Sequence, residues 1–508
     1  MTEPLPVDGR SLSLEGFLDV VRRGRALALA PAARAAVEAS RRAVERAIAE
    51  NRPVYGVTTA FGALSDRTIP PDRARELQRS LVRSHASGAG PPLPREVVRG
   101  MLLLRANSLA AGHSGVRPVV VERLVDLLGR DLVPSVPEQG SVGASGDLAP
   151  LAHVALALLG EGDFLAAGDA PPEPAAAVLA RNGIPPLELA EKEGVALLNG
   201  TALMGSYLAL AVDDLGRLLD AATIAAALSF DALHGNPESL DDRLGEVRCD
   251  PEHRRVAAAL RALLDGSDLA VRPEGWAGQD PYTLRCLPQV LGAVRLALGF
   301  AESVARRELN AVTDNPVVFG DDFVSGGNFH GQPLALALDT LAIGGQYLAA
   351  FSERRTSRLL HPALNRGLPA FLAPTPGGSS GLMIPQYLAA ALVNENQTLV
   401  HPASAASLPT SADQEDFVSM GPWAGAKLRR LLANTARVLA VEWIVAGQAL
   451  ELRAPRRGGR GSAAALRVLR ERVAPWTEDR SPAPDIEAVA EEIRTGAAVA
   501  QVRLAVPF

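Results

Sequence analysis

Cysteine is almost absent from this 508-residue chain, which has only Cys249 and Cys286. Two thiols supply neither a disulfide framework nor a metal-ligand cluster, so a reducing compartment is expected and a metal site is not. An excess of one charge is also lacking. Lys plus Arg number 51 against 57 Asp plus Glu, a formal net charge of -6 over the whole length. Nucleic acid and anionic membranes both call for clustered cations, and neither partner is expected. The one basic stretch, Arg456-Arg457-Gly458-Gly459-Arg460-Gly461, has no interleaved aromatic residue and reads as a short solvated linker. Long uninterrupted apolar runs are missing too, since charges break even the most apolar segments. The first residues, Met1-Thr2-Glu3-Pro4-Leu5-Pro6, hold no basic segment followed by an apolar one. No membrane span and no secretory signal are therefore expected, and the expected location is cytoplasmic.

What remains is ordinary globular composition, 47% hydrophobic and 21% charged, in a chain long enough to bury a large core. The dominant periodicity is helical. Long Ala/Leu segments near 31–50, 203–234, 288–309, 333–354 and 425–453, punctuated by Gly, Pro and Asn, predict a mainly α fold with a long central helical bundle. A small hairpin is expected where Val317-Val318-Phe319 and Phe323-Val324-Ser325 flank Gly320-Asp321-Asp322. Three regions are expected: an N-terminal catalytic-loop region over 1–200, the central bundle over 201–454 and a C-terminal helical segment over 455–508.

The run Gly143-Ala144-Ser145-Gly146-Asp147 carries distinctive chemistry. If the Gly146 nitrogen attacks the Ala144 carbonyl and two waters leave, Ser145 becomes a dehydroalanine inside a five-membered ring. Gly146 has no Cβ to obstruct its nitrogen, Ala144 is small, and Ser145 carries the hydroxyl to be eliminated. Asp147 is expected to cap a helix with its apolar stripe at Leu148, Leu151, Ala155, Leu158 and Leu159. The tripeptide would then sit at a helix N-terminus, where negative charge is stabilised.

The longer word Gly140-Ser141-Val142-Gly143-Ala144-Ser145-Gly146-Asp147-Leu148-Ala149-Pro150-Leu151 resembles the prosthetic-group signature of the aromatic amino acid ammonia-lyases, most closely their histidine ammonia-lyase branch. Similar words follow in the family's order. They are Val54-Tyr55-Gly56-Val57-Thr58-Thr59, Ser84-His85-Ala86-Ser87-Gly88, Leu198-Asn199-Gly200-Thr201, Gln279-Asp280-Pro281-Tyr282-Thr283-Leu284-Arg285-Cys286, Gly326-Gly327-Asn328-Phe329-His330 and Gln414-Glu415-Asp416. The resemblance implies a 4-methylidene-imidazol-5-one group (MIO) formed from Ala144, Ser145 and Gly146, with no external cofactor. It implies an amino acid substrate and a homotetramer whose active sites combine residues of different chains. The implied reaction converts L-histidine to trans-urocanate and ammonia, with tyrosine or phenylalanine ammonia-lyase or aminomutase as the alternative within the family.

Such a reaction removes an amine together with a β-proton that is not acidic, so it needs an electrophile and a well-placed base. Tyr55, in a Gly-containing loop, matches the family's base, and a phenol serves that role only where positive potential favours its ionised form. Asp280 is expected as an N-cap and Pro281 at the first helical position, setting Tyr282 and Arg285 three residues apart on one face. Arg285 offers a planar fork for an α-carboxylate. By resemblance Tyr282 assists proton transfer, while Asn199 and Gln279 hydrogen-bond near the prosthetic group and substrate. His85 shares an apolar helical face with Leu77 and Leu81, on a helix starting near Asp72, and is expected to be buried. His85 and Glu415 match positions that distinguish histidine from phenylalanine enzymes, since a carboxylate pairs with an imidazole N–H. Phe329 is expected to wall the pocket. The chain departs from the commonest histidine pattern at Thr58, Ala60, Ala202 and Phe417.

Two readings come from other classes. Gly377-Gly378-Ser379-Ser380-Gly381 fits the serine-hydrolase nucleophile elbow, but Pro374 and Pro376 stand where a strand should precede it. A silent helical assembly protein would have no need of Tyr55, Ser145 and Arg285 together.

Overall fold

The computed structural model describes residues 3–59, 74–168, 170–271, 278–375 and 377–508. Helices dominate, and the longest are Ala202–Ala232, Leu287–Glu308, Gln332–Leu360 and Gly421–Glu451. Each lies where the Ala/Leu periodicity predicts it. Ala202–Ala232 is buried around nearly its whole circumference, as expected of a core helix whose apolar residues are not confined to one stripe. Gln332–Leu360 is long and apolar enough by composition to cross a bilayer, yet 61% of its most apolar window is buried inside the protein, as in a core helix.

The chain divides into two compact units, each assembled from separate stretches of sequence. The first comprises Met1–Leu210, Ala301–Leu338 and Pro402–Ala426, and the second Ala211–Phe300, Asp339–His401 and Lys427–Phe508. The stretch 201–454 thus contributes to both units, and 455–508 belongs to the second. Its helices are Arg460–Arg470, Ala483–Thr495 and Ala497–Ala505.

In the first unit, short strands position loops. Val317–Phe319 pairs antiparallel with Asp322–Val324, the expected hairpin, with Val318 opposite Phe323. Ala89–Pro92 pairs with Pro137–Gln139, which brings the segment after His85 beside the segment leading into the 143–147 loop. Gly88 N also donates to His153 Nε2 at 3.1 Å, tying the first segment to the helix that follows the loop.

That helix, Leu148–Leu158, starts where expected, but Asp147 does not cap it with its side chain. Instead Asp147 Oδ2 accepts from Leu203 N at 2.7 Å and Met204 N at 3.1 Å, serving the first turn of Ala202–Ala232. The orphan N–H groups of a different helix supply the better geometry. Asp147 is buried, and its Oδ1 has no hydrogen-bond partner among the described residues. Burial pushes its pKa up to about 7, against the lowering effect of the two amides, and Glu308 adds to the rise. Glu308, which accepts from Thr201 Oγ1, is likewise raised by burial.

Nearby, Lys192 Nζ and Asp314 Oδ2 form a 2.9 Å ion pair with both side chains at 0% exposure. Burial alone would raise the Asp314 pKa, but Lys192 and Arg105 outweigh it and the carboxyl is held below its ordinary value. In the second unit, Arg355 makes two bonds to buried Glu442, at 2.6 and 2.8 Å, and Ser229 Oγ donates to the same carboxylate at 2.6 Å. The basic stretch departs from a loose linker. Its arginines at 456, 457 and 460 are exposed, but Gly459 is buried against the backbone of Leu264, and its N–H donates to Asp231 Oδ2 at 2.9 Å.

Replacing Asp314 with Asn strands a fully buried ammonium and should cost about 3–5 kcal/mol in urea unfolding. Adding Lys192→Met to it should recover a large part of the loss. The Asp147 carboxyl holds its proton to higher pH folded than unfolded, so its stabilising contribution is full below 3.8 and lost as pH rises through about 7. Asp147→Asn keeps an oxygen acceptor for the two amides. Unfolding free energies measured across that window should decline less steeply for the variant than for the parent.

Candidate active site

The Ala144-Ser145-Gly146 tripeptide lies in a tight loop of the first unit. Ser145 has φ 48° and Gly146 φ 80°, two successive left-handed residues. A Cβ at Gly146 would overlap the Gly200 carbonyl oxygen. Only glycine permits that approach, and the two glycines pair as a parallel bridge. Asp147 N donates to Gly200 O at 2.7 Å, and Gly200 N to Ser145 O at 3.3 Å. Gly200 has φ 141°, and a Cβ there would strike Arg105 and Thr313. The loop is also held from another side, because Met420 N donates to Val142 O at 2.9 Å.

Behind this contact stands Arg105, 1% exposed on the Arg95–Ala110 helix. Its Nη1 donates to Asn199 O, while its Nε and Nη2 have no hydrogen-bond partner among the described residues. Burial lowers its pKa, with Asp314 opposing. Asn199 is buried, and its Nδ2 donates to Asn315 O at 3.0 Å. Arg105 was not among the residues expected from sequence, although a lone charge within Leu102-Leu103-Leu104-Arg105-Ala106 was a visible signal.

Ser145 is half-buried, and its hydroxyl donates to Glu415 Oε1 at 3.2 Å. Thr410 Oγ1 donates to the other carboxylate oxygen at 2.8 Å. Thr410 and Glu415 also exchange main-chain bonds of 2.9 and 3.2 Å across a turn whose residues Ser411, Ala412 and Asp413 all have positive φ. Thr410 is a second residue that sequence reasoning missed, for it carries no motif and acts only through this turn.

Tyr55, His85 and Phe329 belong to the same unit, and each is half-buried. Tyr55 opens a turn in which Val57 N and Thr58 N both donate to Val54 O, at 3.1 and 3.0 Å. Thr58 Oγ1 accepts from Val54 N at 2.8 Å and donates to Arg52 O at 2.7 Å. Thr58 is thus the residue that closes the Tyr55 turn. Val54 and Val57 anchor the turn by packing with Val44 and Ala47. Ala60, Phe61, Gly62 and Asp72 lie outside the described residues.

His85 is not buried as expected. It ends the Ala74–His85 helix, and its Nδ1 lies 2.9 Å from Leu81 O and 3.1 Å from Ser84 Oγ. The ring turns back over the last turn of its own helix, which leaves it partly accessible. Beyond Phe329, His330 Nε2 is 3.1 Å from Phe417 O and the two rings stack with centroids 6.2 Å apart.

Gln279, Tyr282 and Arg285 belong to the second unit, where Gln279, Asp280 and Arg285 help to line a cavity of about 380 Å³. Arg285 Nη1 donates to Gln279 Oε1 at 3.0 Å, its guanidinium lies 4.8 Å from the Tyr282 ring centroid, and its Nε is buried without a partner among the described residues. Tyr282 is 68% exposed. The helix is a single turn, Tyr282–Arg285, with Pro281 at the N-cap, so the expectation of Asp280 there fails. Asp280 turns inward instead, accepting from Asn236 N and Arg366 Nη2, each at 2.6 Å. An arginine and an amide partly satisfy its charge better than the free amides of one turn. The Gly377–Gly381 word is not a nucleophile elbow: the described residues before it form no strand, and Ser379 Oγ donates to Thr375 O at 3.1 Å.

Known proteins resemble the chain over nearly its whole length. The aromatic amino acid lyase family profile matches residues 12–471. Over 496 residues the chain is 50% identical to a histidine ammonia-lyase of Symbiobacterium thermophilum, covering 97% of each chain. A tyrosine aminomutase structure from Streptomyces globisporus superposes with TM-score 0.95 at 37% identity, covering 100% of this chain and 99% of that one. A histidine ammonia-lyase structure from Trypanosoma cruzi gives 0.92 at 39% identity, covering 99% and 96%. Because the matched span contains the tyrosine turn, the Ser145 loop, the Arg285 turn and the Glu415 turn in one order, the chain belongs to the aromatic amino acid lyase family.

Proposed function

We propose that this enzyme is a carbon–nitrogen lyase of L-histidine, releasing trans-urocanate and ammonia. The 50% identity to a histidine ammonia-lyase over 97% of both chains is the observation that carries the reading. Ala144, Ser145 and Gly146 would themselves form and hold the MIO group. The successive positive φ values at Ser145 and Gly146, and the space at Gly146 that admits no Cβ, fit a loop that must close on itself. Once formed, such a ring supplies an electrophilic alkene and an electron sink for the substrate amine.

The chain's own groups then have distinct tasks. Arg285 binds the substrate α-carboxylate through its planar fork, and its buried Nε, without a partner among the described residues, is a donor for it. Gln279, already on Nη1, orients that fork. Tyr55 removes the β-proton from a turn fixed by Thr58, and Tyr282 assists proton transfer. Asn199 hydrogen-bonds near the tripeptide, His85 and Glu415 read the imidazole, and Phe329 forms an apolar wall. The reading includes a cytoplasmic homotetramer whose active sites combine different chains. Exposed apolar side chains in the second unit, including Leu296, Ile343, Tyr347, Ile384, Tyr387 and Leu388, support association with further copies.

Incubation with histidine, tyrosine and phenylalanine separately should give urocanate as the dominant product. His85→Phe should lower the ratio of kcat/KM for histidine to that for phenylalanine, with the near-ultraviolet chromophore retained. A parent enzyme that prefers tyrosine or phenylalanine, or releases a β-amino acid, would replace the substrate or outcome while leaving the lyase family intact. Arg285→Lys keeps the charge and loses the fork, so substrate binding should weaken by about 1–3 kcal/mol. The change should be read from inhibition by a non-reacting amino acid analogue, where unaltered affinity would remove Arg285 from the carboxylate site.

A further inference from the structure

We infer that Glu415, clamped by Thr410, is the positioning residue that holds the Ser145 hydroxyl for its departure when the tripeptide dehydrates. This rests on reading Ala144-Ser145-Gly146 as the precursor of the prosthetic ring, and it adds a duty that Glu415 performs before any substrate arrives. The unreacted hydroxyl is the group in contact, with Ser145 Oγ donating to Glu415 Oε1 at 3.2 Å.

Forming the alkene breaks the Ser145 Cα–H bond, and that electron pair becomes the Cα=Cβ bond as Cβ–Oγ breaks. The oxygen leaves with its own proton and the equivalent of the Cα proton, as one water. The second water takes the Ala144 carbonyl oxygen and the two amide protons of Ser145 and Gly146. Elimination requires the Cβ–Oγ bond to stand across the plane of the developing double bond. A free serine hydroxyl samples three staggered wells, whereas one bonded to a fixed acceptor occupies a single well.

The acceptor here is fixed. Thr410 Oγ1 holds Glu415 Oε2 at 2.8 Å, and the main-chain bonds between residues 410 and 415 hold the turn that carries it. The partner backbone is fixed as well, because Gly200 N donates to Ser145 O and a Cβ is excluded at both Gly146 and Gly200. The hydroxyl therefore lies between two restrained loops. Orientation needs only an oxygen acceptor at this place, so a glutamine performs it too. Reading an imidazole N–H in the finished enzyme draws on the carboxylate charge, which separates the two duties.

The test follows newly made chains by pulse labelling and intact mass, with the near-ultraviolet chromophore as a second readout and circular dichroism as a check of folding. Parent enzyme should lose about two waters. Glu415→Gln should dehydrate at the parent's rate while its histidine turnover falls. Glu415→Ala should dehydrate roughly tenfold more slowly, the effect of losing one hydrogen bond in the reacting arrangement. Thr410→Val, which leaves Glu415 in place, should show a smaller delay, and it decides the matter if Glu415→Ala does not fold. Dehydration at the parent's rate in Glu415→Ala, or in Thr410→Val where that variant decides, overturns the inference and leaves the prosthetic-group reading standing. A glutamine variant as slow as the alanine variant overturns it too, since the carboxylate itself would then be required. Full encoded mass in active parent enzyme overturns both readings together.

Discussion

The contact between Gly146 and Gly200 is the constraint on which the candidate site depends. Two main-chain segments distant in sequence approach so closely that Gly146 tolerates no Cβ, while Arg105 and Thr313 exclude one at Gly200, and their amides and carbonyls join at Ser145, Asp147 and Gly200. The contact sets the path of the tripeptide and the start of the Ala202–Ala232 helix. Asp147 reinforces it by reaching past its own helix to the amides of Leu203 and Met204. One aspartate thus relates the loop, the helix after it and a core helix.

That arrangement requires charge inside the first unit. Arg105 reaches Asn199 O from behind the glycine contact, and Asp314 faces both Arg105 and Lys192. A cation in a desolvated interior is costly unless compensated, and here the compensation is local. Asp147 and Glu308 follow another route, since burial raises both pKa values and favours the neutral acid. The surroundings of the loop are therefore upheld by buried charged groups, and their effects are read in stability and pH dependence.

Three of the departures from the commonest family pattern have concrete structural settings. Thr58 closes the Tyr55 turn with bonds on both sides of its hydroxyl. Phe417 stacks on His330 while its carbonyl lies within hydrogen-bond distance of the same ring. Ala202 is buried at the first residue of its helix. The changes at Thr58, Phe417 and Ala202 are accommodated by the local backbone, and none alters the tripeptide.

Helix positions, the 317–324 hairpin and the family were legible in the sequence because they rest on local periodicity, turn residues and ordered motifs. The tripeptide was legible for the same reason: it consists of three neighbours in the chain. Local signals could not reveal that Asp147 serves a distant helix, that Asp280 turns toward Arg366, or that His85 folds back onto Leu81. In each case several hydrogen-bond partners were available, and tertiary packing selected one. Thr410 and Arg105 escaped notice because their importance arises from what the fold brings to them. Sequence by itself determined which residues the loop presents and the family they point to; tertiary structure alone decided which buried groups restrain that loop, because desolvation and hydrogen-bond geometry depend on neighbours that are remote along the chain.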